Sequence, residues 1–458
     1  MAVHSLPAAQ TADLLRQSGL TEDEVDRCLL EGDGVAPLPP TIALTGSKES
    51  SYLDVSIKNL SDEILKLMAA KHLYEIHLDP RPTPHGLLVR YRSGKKLKSW
   101  MELSLSESGA LLDRFKLLAE MDVKERECPK LGYFRRKVLG TTLLLFVTSV
   151  PTVNGEKLLI RRARSLAEKP PMLLAHLGME PFVLEKYTAS CRQRGGAIIF
   201  TGPYNCGKTT TIFATLRELY STELNITTGE FEFEYLMEGV NQSLATWSGP
   251  AGTTFGDRFR ACRSQDVDII VAKLEELDNA CAALRTATTG VSVMGSMHHK
   301  NPVRVLDYFS LNLHAREMWL AIDGIKAIVA RRFIKVLCPH CKESYKPSAP
   351  LLKQLGINER LLQRLRLEQN LQHIEFYRAK GCSACHKKHN RLTGYQELST
   401  GIHSVLFMND DVRQTLRQRG TFAELSRVCY KSGMLTLRES ALRKAILGET
   451  SLEQAVLF

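Results

Sequence analysis

One octapeptide has the residue types and the spacing that bind nucleotide phosphates. It has the form G-x-x-x-x-G-K-T, in which glycines let the backbone turn tightly and aim N–H groups at phosphate oxygens. Lys208 would neutralise the charge of the β- and γ-phosphates, and the Thr209 hydroxyl would ligate Mg²⁺. We therefore predict a site for ATP and Mg²⁺; the alternative is a chance glycine–lysine turn. The predicted nucleotide-binding residues are Gly202, Pro203, Tyr204, Asn205, Cys206, Gly207, Lys208, Thr209 and Thr210.

Four of the 11 cysteines have the spacing of a structural zinc site. They form two C-x-x-C pairs, and each pair can present two thiolates from one tight turn. Two pairs complete a tetrahedral site that leaves no position for a substrate, so the expected role of Zn²⁺ is structural. Redox-active or core cysteines are the alternatives. The predicted metal ligands are Cys338, Cys341, Cys382 and Cys385.

A phosphate-binding loop needs a strand before it and a helix after it, and the flanking sequence has both patterns. Residues 197–200 form a short apolar run typical of a strand, and residues 210–220 carry apolar side chains at helical spacing. The N-terminus of such a helix would turn its positive dipole end toward the phosphates. The flanking pattern therefore favours a nucleotide site over a chance turn.

The composition fits a globular protein of several domains, with 458 residues, 44% apolar and 24% charged. No apolar run approaches the length of a membrane span, and the first residues lack a secretion-signal pattern, so we expect a cytoplasmic protein. The net charge of +11 could indicate nucleic-acid contact, but Lys and Arg are spread along the chain, which favours a solvated basic surface. Nucleic acid is therefore not an expected partner.

Periodicity and clusters of Gly and Pro divide the chain into segments, and the fold class that they predict is α/β. A nucleotide-binding core is preceded by a smaller α/β domain and followed by a zinc-binding and helical C-terminal region. The predicted segments are a helical segment (1–30), a linker (31–58), an α/β domain (59–165), a second linker (166–180), the core (181–337), the four-cysteine module (338–400) and a helical region (401–458).

Five further motifs occur in the order of a known family. They are EIHLDP (75–80), VRYR (89–92), DVKERECP (122–129), SVPTVNGEK (149–157) and GMLTL (433–437). Together with the phosphate loop they resemble the secretion and pilus-assembly ATPases of the type II secretion and type IV pilus systems, the GspE/PilB family. The resemblance runs from about residue 60 to the end. It implies a RecA-like P-loop NTPase core, a PAS-like domain before it, and a metal module after it.

The resemblance also implies an activity and partners. Members typically form hexameric rings in which ATP turnover drives pilin or pseudopilin assembly. We therefore expect a homo-hexamer that is cytoplasmic and peripheral at the inner membrane. The expected partners are an inner-membrane platform protein and a cytoplasmic adaptor. Arginines of the preceding domain reach the nucleotide in that family, and Arg92 and Arg126 occupy such positions here.

Three more residues match catalytic positions of the family. Glu230 and Glu234 lie in TGEFEFEY where the family has T-I-E-D-P-V-E-Y, with Phe231 at the Asp position. His298 matches the histidine of L-H-T-N. The alternative for the two glutamates is a solvated strand edge.

One catalytic position departs from the family pattern. The Walker B strand is DIIVAK, so Lys273 stands where the family has Glu. Glu275 and Glu276 follow, but two residues displace a carboxylate by roughly 6 Å along an extended chain. We therefore expect ATP binding with weak or absent hydrolysis, because a cation cannot orient water. The alternative is that one of these glutamates substitutes. The candidate functions are an assembly ATPase and a non-hydrolysing nucleotide-binding subunit of the same machinery.

Overall fold

The computed structural model describes residues 49–458 with short gaps and divides them into two compact units. The first unit contains the described residues up to Ser165 together with Glu232–Leu236. The second contains Leu166–Phe231 and Met237–Phe458. The predicted helical segment 1–30 lies outside the described residues. The gaps are residues 83–85, 94–95, 166–172, 231–232, 245–260, 262–263, 369, 388–390 and 393.

The described part of the first unit is a six-stranded antiparallel sheet covered by helices α1 (Glu49–Ala70) and α2 (Leu105–Leu118). The strand order is β3-β2-β1-β6-β5-β4. Apolar residues at alternate strand positions, such as Ile76 and Leu78, pack under the helices to form the core. The strands are β1 (Glu75–Arg81), β2 (Gly86–Ser93), β3 (Lys96–Ser104), β4 (Lys130–Val138), β5 (Thr141–Thr152) and β6 (Gly155–Arg162).

A buried ion pair anchors the segment that follows α2. Lys116 is fully buried, and its Nζ lies 2.9 Å from a carboxylate oxygen of Glu156 in β6. The same ammonium donates to the carbonyl of Glu125 at 2.8 Å. Since a buried cation needs this set of partners, it holds the loop 122–129 against the sheet.

Helix α1 begins earlier than the sequence predicted. The linker was expected to run to residue 58, whereas α1 already starts at Glu49. Ile57 is buried in the core with Ile64 and Met68, so the apolar face of the helix continues into the expected linker. The linker was inferred from glycines and prolines, and the last of these is Gly46.

The second unit is built on a seven-stranded sheet, counted over its described residues, in the order β11-β9-β12-β13-β8-β14-β19. All neighbours are parallel except β14 and β19. Two small antiparallel two-stranded sheets, β15–β16 and β17–β18, lie between β14 and β19 in the chain, and a short parallel two-stranded sheet, β7–β10, belongs to the first unit. The strands are β7 (Arg164–Ser165), β8 (Ala197–Thr201), β9 (Ile226–Glu230), β10 (Tyr235–Leu236), β11 (Asn241–Leu244), β12 (Ile269–Lys273), β13 (Ser292–Met297), β14 (Ile325–Leu337), β15 (Lys342–Tyr345), β16 (Phe376–Ala379), β17 (His386–Lys387), β18 (Arg391–Leu392) and β19 (Tyr395–Phe407).

Helices flank this sheet, which is why β8 and most of β12 are apolar and buried. The carboxyl ends of β9, β12, β13 and β8 meet at one edge, where α/β proteins bind ligands. No helix among the described residues has the length and apolarity needed to cross a membrane. The helices are α3 (Pro181–Arg192), α4 (Lys208–Leu219), α5 (Leu277–Ala287), α6 (Pro302–Asn312), α7 (Met318–Gly324), α8 (Ala349–Leu355), α9 (Glu359–Arg364), α10 (Asp410–Arg417), α11 (Phe422–Lys431), α12 (Leu437–Ile446) and α13 (Leu452–Ala455).

Strand β19 differs from the predicted segment boundary at residue 400. It spans that boundary and pairs along β14, so the core sheet takes its last strand from beyond the cysteine module. Helices begin only at Asp410. The strand was missed because Ser399, Thr400 and Gly401 interrupt its apolar pattern, and its partner is distant in sequence.

Candidate functional site

The phosphate loop connects β8 to α4 and depends on two glycines with positive φ. Gly202 has φ +145°, and a Cβ there would lie 2.6 Å from Cys206 Sγ and 2.8 Å from the carbonyl oxygen of Arg331. Gly207 has φ +91°, and a Cβ there would lie 2.7 Å from Arg331 Nη1. Both positions therefore exclude a side chain by conformation and by space. The turn places the first helical residue, Lys208, directly after the loop.

Lys208 lies with its ammonium at the centre of the loop. Nζ donates to the carbonyl oxygens of Gly202 at 2.9 Å and Pro203 at 3.0 Å, and it lies 3.0 Å from Nδ1 of His298. Only 9% of the residue is exposed. The cation thus already occupies the loop that would surround a phosphate group.

His298 follows β13 and joins the loop to the end of β12. Its Nε2 lies 2.7 Å from Oε1 of Glu275, and its Nδ1 faces the loop, 3.2 Å from the Gly202 carbonyl oxygen. The ring of Tyr204 stacks on the imidazole with centroids 3.9 Å apart. The imidazole is therefore fixed on three sides. The sequence did not reveal the Glu275 contact, because it depends on how the chain turns after β12.

The turn after β12 separates three neighbouring charged side chains. Lys273 is half-buried at the strand end, paired with Ser296 of β13. Glu275 reaches His298, whereas the exposed Glu276 precedes α5 and accepts a hydrogen bond from Asn279 Nδ2 at 3.4 Å. Among the contacts described for the two glutamates, only that of Glu275 reaches a residue beside the phosphate loop.

Glu230 ends β9 at the same edge of the sheet and is buried. Its Oε1 accepts hydrogen bonds from Thr228 Oγ1 at 2.7 Å and Gln242 Nε2 at 3.0 Å. Glu234 lies in the first unit, where its side chain is exposed and its carbonyl accepts from the Arg164 N–H at 2.9 Å. The two predicted catalytic glutamates therefore belong to different units.

Arg92 and Arg126 also lie in the first unit, where each pairs with a carboxylate. Arg126 donates to Asp113 at 2.7 Å, and Arg92 donates to Glu75. A hydrogen bond from His77, then a hydrogen bond from Arg92 and the positive charges of Arg161 and Arg92, lowers the pKa of Glu75 to about 2. The predicted contact of Arg92 and Arg126 with nucleotide stays a prediction.

Arg331 is a site residue that the sequence analysis missed. It is 2% exposed, and its Nη1 donates to the Gly207 carbonyl at 2.9 Å and to Thr211 Oγ1 at 2.8 Å. The guanidinium therefore braces the end of the phosphate loop from behind. An arginine inside the apolar strand β14 was the available signal, but its target could not be read from local spacing.

The four predicted metal ligands converge. Their sulfur atoms all lie within 4.8 Å of one another, with Cys341–Cys385 at 3.7 Å, Cys382–Cys385 at 3.8 Å and Cys338–Cys382 at 3.9 Å. Tetrahedral Zn–S bonds of about 2.3 Å require sulfurs about 3.8 Å apart, so the cluster fits zinc. The N–H of Cys382 also donates to the Cys385 sulfur at 3.2 Å and lowers the pKa of that thiol to about 7. The cluster could therefore hold a structural zinc ion.

Comparison with known proteins identifies relatives whose sequences match most of this chain. The sequence model of the family described as Type II/IV secretion system protein matches residues 50–457. A type II secretion system protein E of Pseudomonas aeruginosa is 28% identical over 408 residues, which cover 88% of this chain and 75% of that protein. The type IV pilus assembly ATPase PilB of Thermus thermophilus is 28% identical over 383 residues, 83% of this chain but 40% of that protein.

Solved structures share the fold at lower sequence identity. The crystal structure of the pilus retraction motor PilT with bound ADP matches with a TM-score of 0.58 and 18% identity, over 86% of this chain and 96% of that one. The Legionella pneumophila ATPase DotB matches with a TM-score of 0.56 and 14% identity, over 92% and 97%. These matches confirm the predicted α/β fold class. Since the family match spans nearly all of the described residues, the chain belongs to the Type II/IV secretion system protein family.

Proposed function

We propose that this protein binds ATP and powers or supports the assembly of pilin or pseudopilin subunits. The observation that carries the proposal is the phosphate loop, with Lys208 buried at its centre and fixed glycines on either side. Lys208 would contact the β- and γ-phosphates, and Thr209 would hold Mg²⁺. Buried Glu230 and half-buried His298 lie at the same sheet edge, where they would face the terminal phosphate.

The partners and the assembly state belong to the same proposal. By its family, the chain would form a homo-hexamer at the cytoplasmic face of the inner membrane, with a platform protein and a cytoplasmic adaptor as partners. By their match to positions of the family, Arg92, Arg126 and Glu234 would also have catalytic roles. One Zn²⁺ ion would be held by the four cysteines.

Replacing Lys208 tests the proposed ATP binding. Charge-assisted hydrogen bonds contribute about 1.5–3 kcal/mol each, so Lys208→Ala should weaken binding of a fluorescent ATP analogue by roughly 10- to 100-fold. Lys300→Ala is the matched control, because Lys300 is exposed and follows His298 by only two positions. Equal affinities for wild type and Lys208→Ala would refute the phosphate-loop function.

A second candidate function is a nucleotide-binding subunit that does not hydrolyse ATP. Lys273 favours it, because a cation at the end of β12 stands where the family has a carboxylate. In that case the wild type would retain ATP but release no more phosphate than Lys208→Ala, and Lys273→Glu would raise the rate. Phosphate release at saturating ATP separates the two functions.

A further inference from the structure

Glu275 reaches the nucleotide site through the local geometry that follows β12. Leu274 extends the strand by one residue, since its N–H donates to the Ser296 carbonyl at 2.9 Å. Its side chain packs over Gly295, where a Cβ would lie 2.0 Å from Leu274 Cδ1. The buried leucine therefore fixes the point at which the chain turns. Glu275 is the next residue, and the turn directs its carboxylate to His298.

The contacts of His298 determine which nitrogen carries the proton. A carboxylate at Nε2 accepts the N–H of that nitrogen, which leaves the lone pair of a neutral imidazole on Nδ1. Nδ1 lies 3.0 Å from the Lys208 ammonium, a donor that favours the same tautomer, whereas the Gly202 carbonyl oxygen, an acceptor, lies farther from Nδ1 at 3.2 Å and already accepts from Lys208. The Tyr204 stack prevents the ring from rotating away. A carboxylate, an oriented imidazole and a lone pair facing the phosphate loop are thereby aligned.

We propose that Glu275 is a positioning residue that compensates, from two residues further along the chain, for the lysine at position 273. This inference rests on the proposed ATP binding and extends it to hydrolysis. Once Lys208 engages the phosphates, Nδ1 of His298 is released to accept a proton from water. The water oxygen bonds to the γ-phosphorus while the bond from that phosphorus to the bridging oxygen breaks. ADP leaves with the bridging oxygen, and the proton passes from His298 to solvent.

Substitutions at Glu275 test this role, with Glu276→Gln as the matched control. Gln at position 275 can donate its amide N–H to Nε2 and so stabilise the other tautomer, which places the proton on Nδ1. We expect Glu275→Gln to lower phosphate release at saturating ATP by about 10²-fold while the affinity for a fluorescent ATP analogue is kept. Glu275→Asp should retain part of the rate, and Glu276→Gln should match wild type.

A double variant shows whether Glu275 acts through His298. In a His298→Asn background, adding Glu275→Gln should cause no further loss, because the two residues would serve one step. Additive losses, or equal rates for Glu275→Gln and Glu276→Gln, would overturn the inference. ATP binding with phosphate release no faster than in Lys208→Ala would overturn it too and support the second candidate function. Loss of ATP binding in wild type would instead refute the proposed function itself.

Discussion

The cysteine cluster and the phosphate loop belong to the same unit, yet they are prepared for their ligands differently. The distances between the four sulfur atoms already suit the ligands of a tetrahedral zinc ion. In the phosphate loop, by contrast, Lys208 is hydrogen-bonded to the carbonyls of the loop itself and to His298. A metal ion can enter the cluster without rearrangement, whereas a phosphate group must first displace these bonds. The cysteine cluster thus has its ligand geometry before the metal binds, whereas the phosphate loop acquires its geometry only when phosphate binds.

Of the predicted changes, metal removal should have the largest effect, because it should unfold the cysteine module. Zinc binding in small Cys-rich modules is worth about 10–16 kcal/mol, so Cys382→Ser or chelation should unfold the module. Metal analysis should show one zinc per wild-type chain and much less in the variant, and limited proteolysis should cut within residues 338–394. Cys128→Ser, at an exposed cysteine of the first unit, should keep the metal. Retained zinc in Cys382→Ser would contradict the predicted site.

Replacing Arg331, which supports the phosphate loop, should have a smaller effect. Arg331→Met removes two hydrogen bonds from a charged donor, to Gly207 and Thr211, and such bonds contribute about 1.5–3 kcal/mol each. We expect a lower midpoint of thermal unfolding together with weaker ATP-analogue binding. Arg332→Met, at the adjacent half-buried position, should change both much less. If the two variants behave alike, Arg331 does not support the loop.

The smallest expected effect is a pH dependence of stability that arises from His403, near Arg331. Burial, then Arg331 and Lys444, holds the pKa of His403 well below its ordinary value. Below about pH 6.5 the unfolded chain binds a proton that the folded chain rejects, so the free energy of unfolding falls as the pH falls. The slope from this group approaches about 1.4 kcal/mol per pH unit. Denaturation at about pH 7.5 and about pH 5.5 should show it.

Two variants isolate the contribution of His403. His403→Leu should reduce the difference in stability between the two pH values, because the buried titrating group is gone. His176→Leu, at an exposed histidine of the same unit, should leave the difference unchanged. An identical pH response in wild type and His403→Leu would exclude this origin.

The sequence predicted those parts of the two sites that depend on local spacing. The loop, its flanking strand and helix, and the cysteine pairs each lie within a few residues of one another, so a motif captures them. Arg331 was not predicted as a site residue, and Glu275 was named only as an alternative together with Glu276, because their contacts depend on which strands are neighbours and where β12 turns. The register of β14 on β8 brings Ala330 beside Thr201, and no local pattern encodes that pairing.

Strand β19 has a consequence for the order in which the core can form. The N–H of Cys338 donates to the carbonyl of Gly394 at 2.9 Å, just where β14 ends and before β19 begins. Segment 338–394 is therefore a long insertion between the paired strands β14 and β19. Closing this loop costs conformational entropy before the two strands can pair. A zinc ion bound by both Cys338 and Cys385 would shorten the effective loop between β14 and β19 in the unfolded chain. The metal, although bound outside the nucleotide site, would thus accelerate the pairing of β19 with β14, the strand that carries Arg331.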